Sequence, residues 1–549
     1  MRKRNVSPDS ALLLSSYPSL LLGLGGVLFY SQTLLGWWSP GGAGAALLAT
    51  LASIALLAGL CFGVARFSEL ARATLAEAEN GDERLAAKVL VALLAGFLLL
   101  AFLSALKPAH LVQEGDFVNY HLMLPKQHWL AGSWRPIEWS HFEYRTLLLD
   151  YALSYLWVGL PLLNKLPQFV FVLFLALKLW SFFRELGSAR PHLTGLVAVL
   201  ALFASRGVAV QVGTAMLDLP VIYFLVSLAL GVLCFQKRRA SGWLSLVFGI
   251  DLAAYLGHKS FGIVFFVTFL FGSEIMLRLL FRRSLLGFAR NLRWRWVAVP
   301  VVALWGANLA RSFYFAGDPL YPLALPLTRR FCDSSRLLSS RCEWIVQMAE
   351  TIRSDAFAYG YGYGLKGLLK AFLILPLSIG GQSPVNNVFD YPLGLVWYLG
   401  WGTLLAAAAF SRKLRPAALF SGAIAVVFFG LWFMGSQQSR WLYPVLLLFA
   451  MTLAYFFQAI LAGARGRRRA ALLASTVAVL GCFVAVNGAR VVRSQRWTLG
   501  CLGAECLKAR AGYYADYTRP CPEAPLELDD VAERGYLNCR IYTRPAPAR

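Results

Sequence analysis

The densest group of chemically capable side chains runs from Glu114 to Pro125, EGDFVNYHLMLP, with Lys126 directly behind it. Two carboxylates one residue apart, Glu114 and Asp116, precede Asn119, Tyr120, His121 and Lys126. A carboxylate can take a proton from a hydroxyl, while an imidazole or ammonium beside it can hold a charged partner. The stretch follows the apolar run Val89–Leu106, so it stands where a membrane span leaves the lipid. This placement predicts the catalytic loop of a membrane enzyme, served by spans that bring a lipid-borne substrate to it.

Other candidates gather at the ends of apolar runs. A buried Asp or Glu at mid-bilayer costs about 2.5–3.5 kcal/mol on insertion scales. The chain almost avoids such acids, with Asp251 the main exception. Asp218 instead opens a span, with Pro220 in its first turn, a position where Pro suits a helix start. Five of the 6 His residues (His110, His121, His128, His141 and His258) fall near one side, and His192 near a turn on the other. Lys126, Lys259 in LGHKSFG, Arg311 and Arg440 in SQQSRWLYP could grip a phosphate, Arg with two parallel bonds and Lys as a point charge. Each has a plainer reading. Asp116 and Asp218 could be helix caps, Glu114 a solvated charge, and Lys259 and Arg440 side chains reaching for head groups. No H-x-x-x-H pair occurs, which argues against a zinc hydrolase.

Composition defines what positions these residues. The 549 residues are 58% hydrophobic and 15% charged, with mean hydropathy +0.59. Soluble domains have about 45–50% apolar and about 25% charged residues, so the chain is a polytopic membrane protein. The net charge of +24 does not indicate nucleic acid, because the basic residues fall in short clusters between apolar runs.

Apolar runs predict about thirteen spans, near 18–37, 43–65, 88–106, 166–183, 194–209, 218–235, 242–257, 261–280, 296–311, 391–410, 417–434, 441–462 and 470–489. The basic start (Arg2, Lys3, Arg4) precedes a run too long for a cleaved signal, which predicts an uncleaved first span with the N-terminus cytosolic. Alternate connections then carry Arg66/Arg72/Arg84/Lys88, Arg184/Arg190, Lys237/Arg238/Arg239, Arg282/Arg283/Arg290/Arg293/Arg295, Arg412/Lys413/Arg415 and Arg465/Arg467/Arg468/Arg469. The positive-inside rule makes these cytosolic. The connections 107–165, 210–217, 258–260, 312–390, 435–440 and the tail from 490 are then outside. Cys61, Cys234 and Cys482 lie in apolar runs, whereas Cys332, Cys342, Cys501, Cys506, Cys521 and Cys539 are outside, where disulfides persist. The pairing among the four tail cysteines stays open.

Three regions follow: 1–87, two spans and a cytosolic linker; 88–489, a catalytic membrane domain; and 490–549, a small Cys-rich tail outside. In 107–165 the aromatics Trp129, Trp134, Trp139, Phe142, Tyr144 and Trp157 suit helices lying in the membrane interface. Leu365–Pro376 is similarly amphipathic or re-entrant.

In order, the chain shows E-x-D-x-x-x-Y-H-L-x-x-P-K (Glu114, Asp116, Tyr120, His121, Leu122, Pro125, Lys126) and LDLP at Leu217–Pro220. It then shows GHK at Gly257–Lys259, GDPLYP at Gly317–Pro322 and RWLYP at Arg440–Pro444. Over about residues 85–460 this resembles the GT-C superfamily of polyprenyl-phosphate-sugar-dependent membrane glycosyltransferases, of the protein O-mannosyltransferase and lipid A aminoarabinose-transferase type. The resemblance implies a GT-C-type all-α fold. It implies Asp116 as general base with Glu114 beside it, and Tyr120, His121, Lys126, Asp218, His258, Lys259, Tyr321 and Arg440 at the substrate. Asp318 stands where the family pattern leads one to expect Asn. The implied partners are a polyprenyl-phosphate-linked sugar donor and a lipid, glycan or protein acceptor, in a bacterial inner membrane. A divalent ion, Mg²⁺ or Mn²⁺, would take Glu114, Asp116 or Asp218, since hard carboxylates suit such ions; many members of that family work without one.

Two rivals stand beside this reading. A transporter would use ionisable residues near mid-membrane and broken helices repeated in two halves; Asp251 is its best residue. An O-antigen ligase or polymerase would centre on Arg and His in a late loop rather than on acids after an early span.

Overall fold

A computed structural model of the chain describes residues 16–35, 43–106, 148–159, 163–236 except 215, 240–258, 284–334, 360–377 except 375, and 392–494 except 413, with scattered positions between them. Every regular element among these is helical. Eight helices are long and apolar enough to cross a membrane, and four shorter apolar helices (Tyr17–Ser31, Pro191–Phe203, Gly242–Gly257, Val396–Phe410) match further expected spans. The expected span 261–280 and the tail cysteines fall largely or wholly outside the described residues.

The chain opens with α1 (Tyr17–Leu35), α2 (Ala43–Glu77) and α3 (Gly81–Ala105). Asn80 caps α3 by accepting from the Glu83 N–H at 2.9 Å, and Asp82 and Glu83 favour its first turn. The helix therefore starts at Gly81 and runs unbroken across the expected 87/88 boundary. After α4 (Leu148–Gly159) and α5 (Leu166–Glu185), the expected span 194–209 divides into α6 (Pro191–Phe203) and α7 (Arg206–Gln211). Asn487 makes that break tolerable in lipid. Its Nδ2 donates to the carbonyls of Phe203 at 3.0 Å and Ala204 at 2.8 Å, so the freed acceptors are satisfied by another helix.

Next come α8 (Asp218–Phe235), α9 (Gly242–Gly257), α10 (Leu285–Asn291) and α11 (Trp294–Pro300). Pro300 lacks the N–H that a regular turn needs, and a π turn at Val301–Gly306 follows before α12 (Ala307–Ala316). Gly317, at φ +67°, ends α12 in the left-handed region that glycine adopts without cost. The remaining helices are α13 (Leu325–Ser334), α14 (Leu365–Leu373), α15 (Val396–Phe410), α16 (Arg415–Met434), α17 (Tyr443–Gly463) and α18 (Gly466–Ser494).

The centre is α5, buried along nearly its whole length and packed by α6, α8 and α2. Long helices at the periphery instead expose apolar side chains, such as Leu51 and Ile54 on α2 and Leu419 and Val426 on α16, as a lipid-facing surface requires. One expectation changes here. Helix α4 is not laid out on a surface: Tyr151, Tyr155 and Trp157 are all buried, and α4 packs against α1 and α2. Residues 148–157 are buried on every side, so they fill interior space rather than present one face to head groups.

Two polar networks tie the bundle. Mid-membrane, Asp251 on α9 accepts from Ser19 of α1 at 2.5 Å and from Ser227 of α8. Ser227 in turn accepts from Lys178 of α5, whose ammonium lies 4.3 Å from the Tyr223 ring centre. Tyr223 and Ser19 share a 2.9 Å hydrogen bond. Asp251, the best residue for a transport reading, thus has both carboxylate oxygens engaged in a closed network joining four helices. On the face assigned as cytosolic, Glu77 accepts from the His192 and Leu193 N–H groups at the start of α6. Glu79 and Glu83 bind Arg190 and Arg469. The α2–α3 hairpin and α18 are thereby fastened to the α5–α6 turn.

Candidate functional site

The sequence places Asp218 and Arg440 far apart; the fold brings them together. Asp218 is the first residue of α8, where its carboxylate sits in the favourable field of the helix start. Arg440 lies in a 3-10 turn, Ser439–Leu442, that leads directly into α17. The guanidinium Nη1 is 4.0 Å from Asp218 Oδ2, with the two side chains only 9% and 10% exposed. Gln211, at the end of α7, donates to the same carboxylate oxygen at 3.4 Å. Gln438 accepts from Arg440 Nε at 2.9 Å, which turns the fork toward Asp218.

The loop that carries Arg440 is held from outside by Gln437. This fully buried side chain accepts from Tyr361 N–H at 3.0 Å and donates to Gly362 O at 3.2 Å. Gly360 has φ +107°, and a Cβ there would come within 1.8 Å of Gln437 Oε1. Only glycine permits both the backbone conformation and that approach. Tyr363 adds a bond from its hydroxyl to Gly435 O at 3.0 Å.

A second polar pair was not legible as such. His121 Nδ1 lies 2.5 Å from Asp150 Oδ1, with both side chains buried. Asp150 stands in the first turn of α4. Its other oxygen, Oδ2, is buried without a hydrogen-bond partner. His128, also buried, meets Tyr151 and Phe29 edge-on at 5.6 and 6.4 Å. Sequence reasoning singled out His121 but passed over Asp150, an acid alone in the apolar stretch LLLDYALSYLW. The rule that made Asp251 conspicuous would have found it.

His258 ends α9 and is buried. The neighbouring Gly257 packs so closely on Leu148, the first residue of α4, that a Cβ would come within 2.8 Å of its side chain. His258 and the His121–Asp150 pair therefore occupy one corner of the bundle. Tyr321 is elsewhere: its hydroxyl donates to Ile345 O at 2.9 Å, and it packs in a small cluster with Ala316, Ile345 and Ala349. Asp318 accepts from Leu320 and Ala324 N–H groups, both at 2.8 Å. Burial raises its carboxyl pKa, and those two bonds oppose the shift. A carboxylate in this turn serves the backbone, which accounts for Asp where Asn was expected. Glu114, Asp116, Tyr120, Lys126 and Lys259 lie outside the described residues. Among the described residues no group of three or more His, Cys, Asp or Glu side chains is placed to hold a metal ion.

In chemical terms, the Asp218–Arg440 pair sets a buried guanidinium beside a carboxylate, 4.0 Å apart. A guanidinium can bind an oxyanion with two parallel bonds, and a carboxylate beside it lowers the net positive charge such an anion would meet.

No protein-family model matches the chain, and no curated protein matches it. Among solved structures, the chain is similar to the crystal structure of ArnT from Cupriavidus metallidurans bound to undecaprenyl phosphate. The identity is 15% and the TM-score 0.46, over 82% of this chain and 85% of that one. It is also similar to the archaeal oligosaccharyltransferase AglB from Archaeoglobus fulgidus in complex with an inhibitory peptide and a dolichol-phosphate, at 11% identity and TM-score 0.42, over 82% of this chain and 64% of that one.

Proposed function

We propose that the chain is an inverting glycosyltransferase of the GT-C kind, moving a sugar from a polyprenyl-phosphate donor to an envelope lipid, glycan or protein acceptor on the outer face. The observation that carries the reading is the buried Asp218–Arg440 pair where two spans begin. Arg440 is the group that receives the donor phosphate, with Lys259 as its partner. Asp116, with Glu114 adjacent, is the base.

The chemistry needs few groups. The base takes the proton from the acceptor hydroxyl as the new C–O bond forms at the anomeric carbon. The bond from that carbon to the phosphate oxygen breaks on the opposite side, so the configuration inverts. The leaving group is a phosphate, already anionic, so no acid has to protonate it. Arg440 and Lys259 stabilise the negative charge that grows there. A polyprenyl tail stays in lipid throughout, which is why the site stands at span ends rather than in a soluble domain.

The test uses purified protein in nanodiscs, radiolabelled polyprenyl-phosphate sugars and extracted envelope acceptors. Asp116→Asn should lower turnover by about 10²–10⁴-fold, the range general-base catalysis supplies. A variant that turns over as fast as wild type would place the base elsewhere.

A further inference from the structure

We propose that α14 (Leu365–Leu373) is an interfacial anchor that binds the anionic phospholipid surface on the side of the Asp218–Arg440 site and ties the Arg440 loop to it. The sequence LKGLLKAFL sorts cleanly around a helix of 100° per residue. Leu365, Leu369 and Leu373 form one stripe, and they are 73%, 52% and 54% exposed. Lys366 and Lys370 flank that stripe and are exposed as well. The opposite side carries the buried Gly367 and Ala371. A helix that leaves three leucines uncovered, with lysines along their margin, is built for a boundary between acyl chains and charged head groups.

Its neighbours place it at that boundary. Phe372 packs against Trp397 and Trp401 of α15 and Phe429 of α16, at 5.9, 5.6 and 5.9 Å. Trp397 Nε1 donates to Phe372 O at 3.2 Å, and the Tyr398 hydroxyl to Leu373 O. The first turn of α15 thus caps the last carbonyls of α14. The leucine stripe continues the apolar surface that α15 and α16 expose at the same end, through Leu395, Leu399 and Met434. A bilayer that covers those residues reaches α14 too.

The turn before α14 is the segment that Gln437 holds. Gly367 approaches Gly362 O so closely that a Cβ would lie 2.2 Å from it. Gly362 O itself accepts from Gln437. From the lipid surface to Arg440 the path therefore runs through α14, Gly362, Gln437 and the two residues that separate Gln437 from Arg440.

The test does not depend on the activity proposed above. In full-length protein with Cys61 and Cys482 changed to Ser, a spin label is placed at Leu369→Cys or Leu365→Cys, both exposed and unneeded for packing. A second label is placed at Lys366→Cys. In nanodiscs with phosphatidylglycerol, the leucine positions should favour collisions with oxygen, and position 366 collisions with an aqueous nickel chelate. Lys366→Gln/Lys370→Gln should weaken phosphatidylglycerol retention, read by native mass spectrometry, by about fivefold per lysine. A label at 369 or 365 as water-accessible as that at 366, or unchanged lipid retention in the double variant, would overturn the proposal.

Discussion

Replacing Arg440 with Gln tests the site most directly. The change removes the guanidinium beside the Asp218 carboxylate, which is only 10% exposed and also accepts from Gln211 at 3.4 Å. Opposite charges 4 Å apart attract by about 4 kcal/mol at an effective dielectric of about 20. Removing one member of a buried pair typically costs about 3–5 kcal/mol, because the other charge remains desolvated. Arg440→Gln is therefore expected to lower stability by about that much and to abolish retention of polyprenyl phosphate. Asp218→Asn/Arg440→Gln removes both charges and should recover about 0.5–3 kcal/mol as coupling energy, without recovering lipid binding. Arg440→Lys keeps the charge but loses the fork, so stability should return further than binding does. Denaturant unfolding in micelles gives the first quantity, and native mass spectrometry with polyprenyl phosphate gives the second. If Arg440→Gln matches wild type in both, the pair is not a functional site and the reasoning fails.

The two networks that tie the bundle make further predictions. Asp251→Leu leaves the Lys178 ammonium buried without its acid and should cost about 3–5 kcal/mol, whereas Lys178→Met/Asp251→Leu should regain most of it; thermal unfolding of the two variants decides, and equal loss in both would refute the account. Glu79 is held below its ordinary value of 4.5 by hydrogen bonds from Arg190 and Arg469. Its contribution is thus complete above that value and lost as pH falls through the lower folded one. Glu79→Gln should remove this part of the acid dependence of the melting temperature, and an identical pH profile in variant and wild type would show that the staple is idle.

The span pattern was legible because it is local. Twenty apolar residues and the basic clusters between them are read one window at a time, and the helix from Asp218 begins where its Pro-containing start predicted. Asp218 was legible for the same reason. The breaks were not: α6 stops at Phe203 because Asn487, nearly three hundred residues on, receives the freed carbonyls.

What the sequence determined by itself is the class of molecule, an all-helical multi-span membrane protein, and the kinds of group at the ends of its spans, because hydropathy, charge and turn chemistry act between near neighbours. What only the tertiary structure decided is which of those groups meet. Asp218 faces Arg440, Asp150 holds His121 and Asp251 closes on Lys178 through Ser227. A charge in a low-dielectric interior is stable only beside its partner, and helix packing, not chain order, selects that partner.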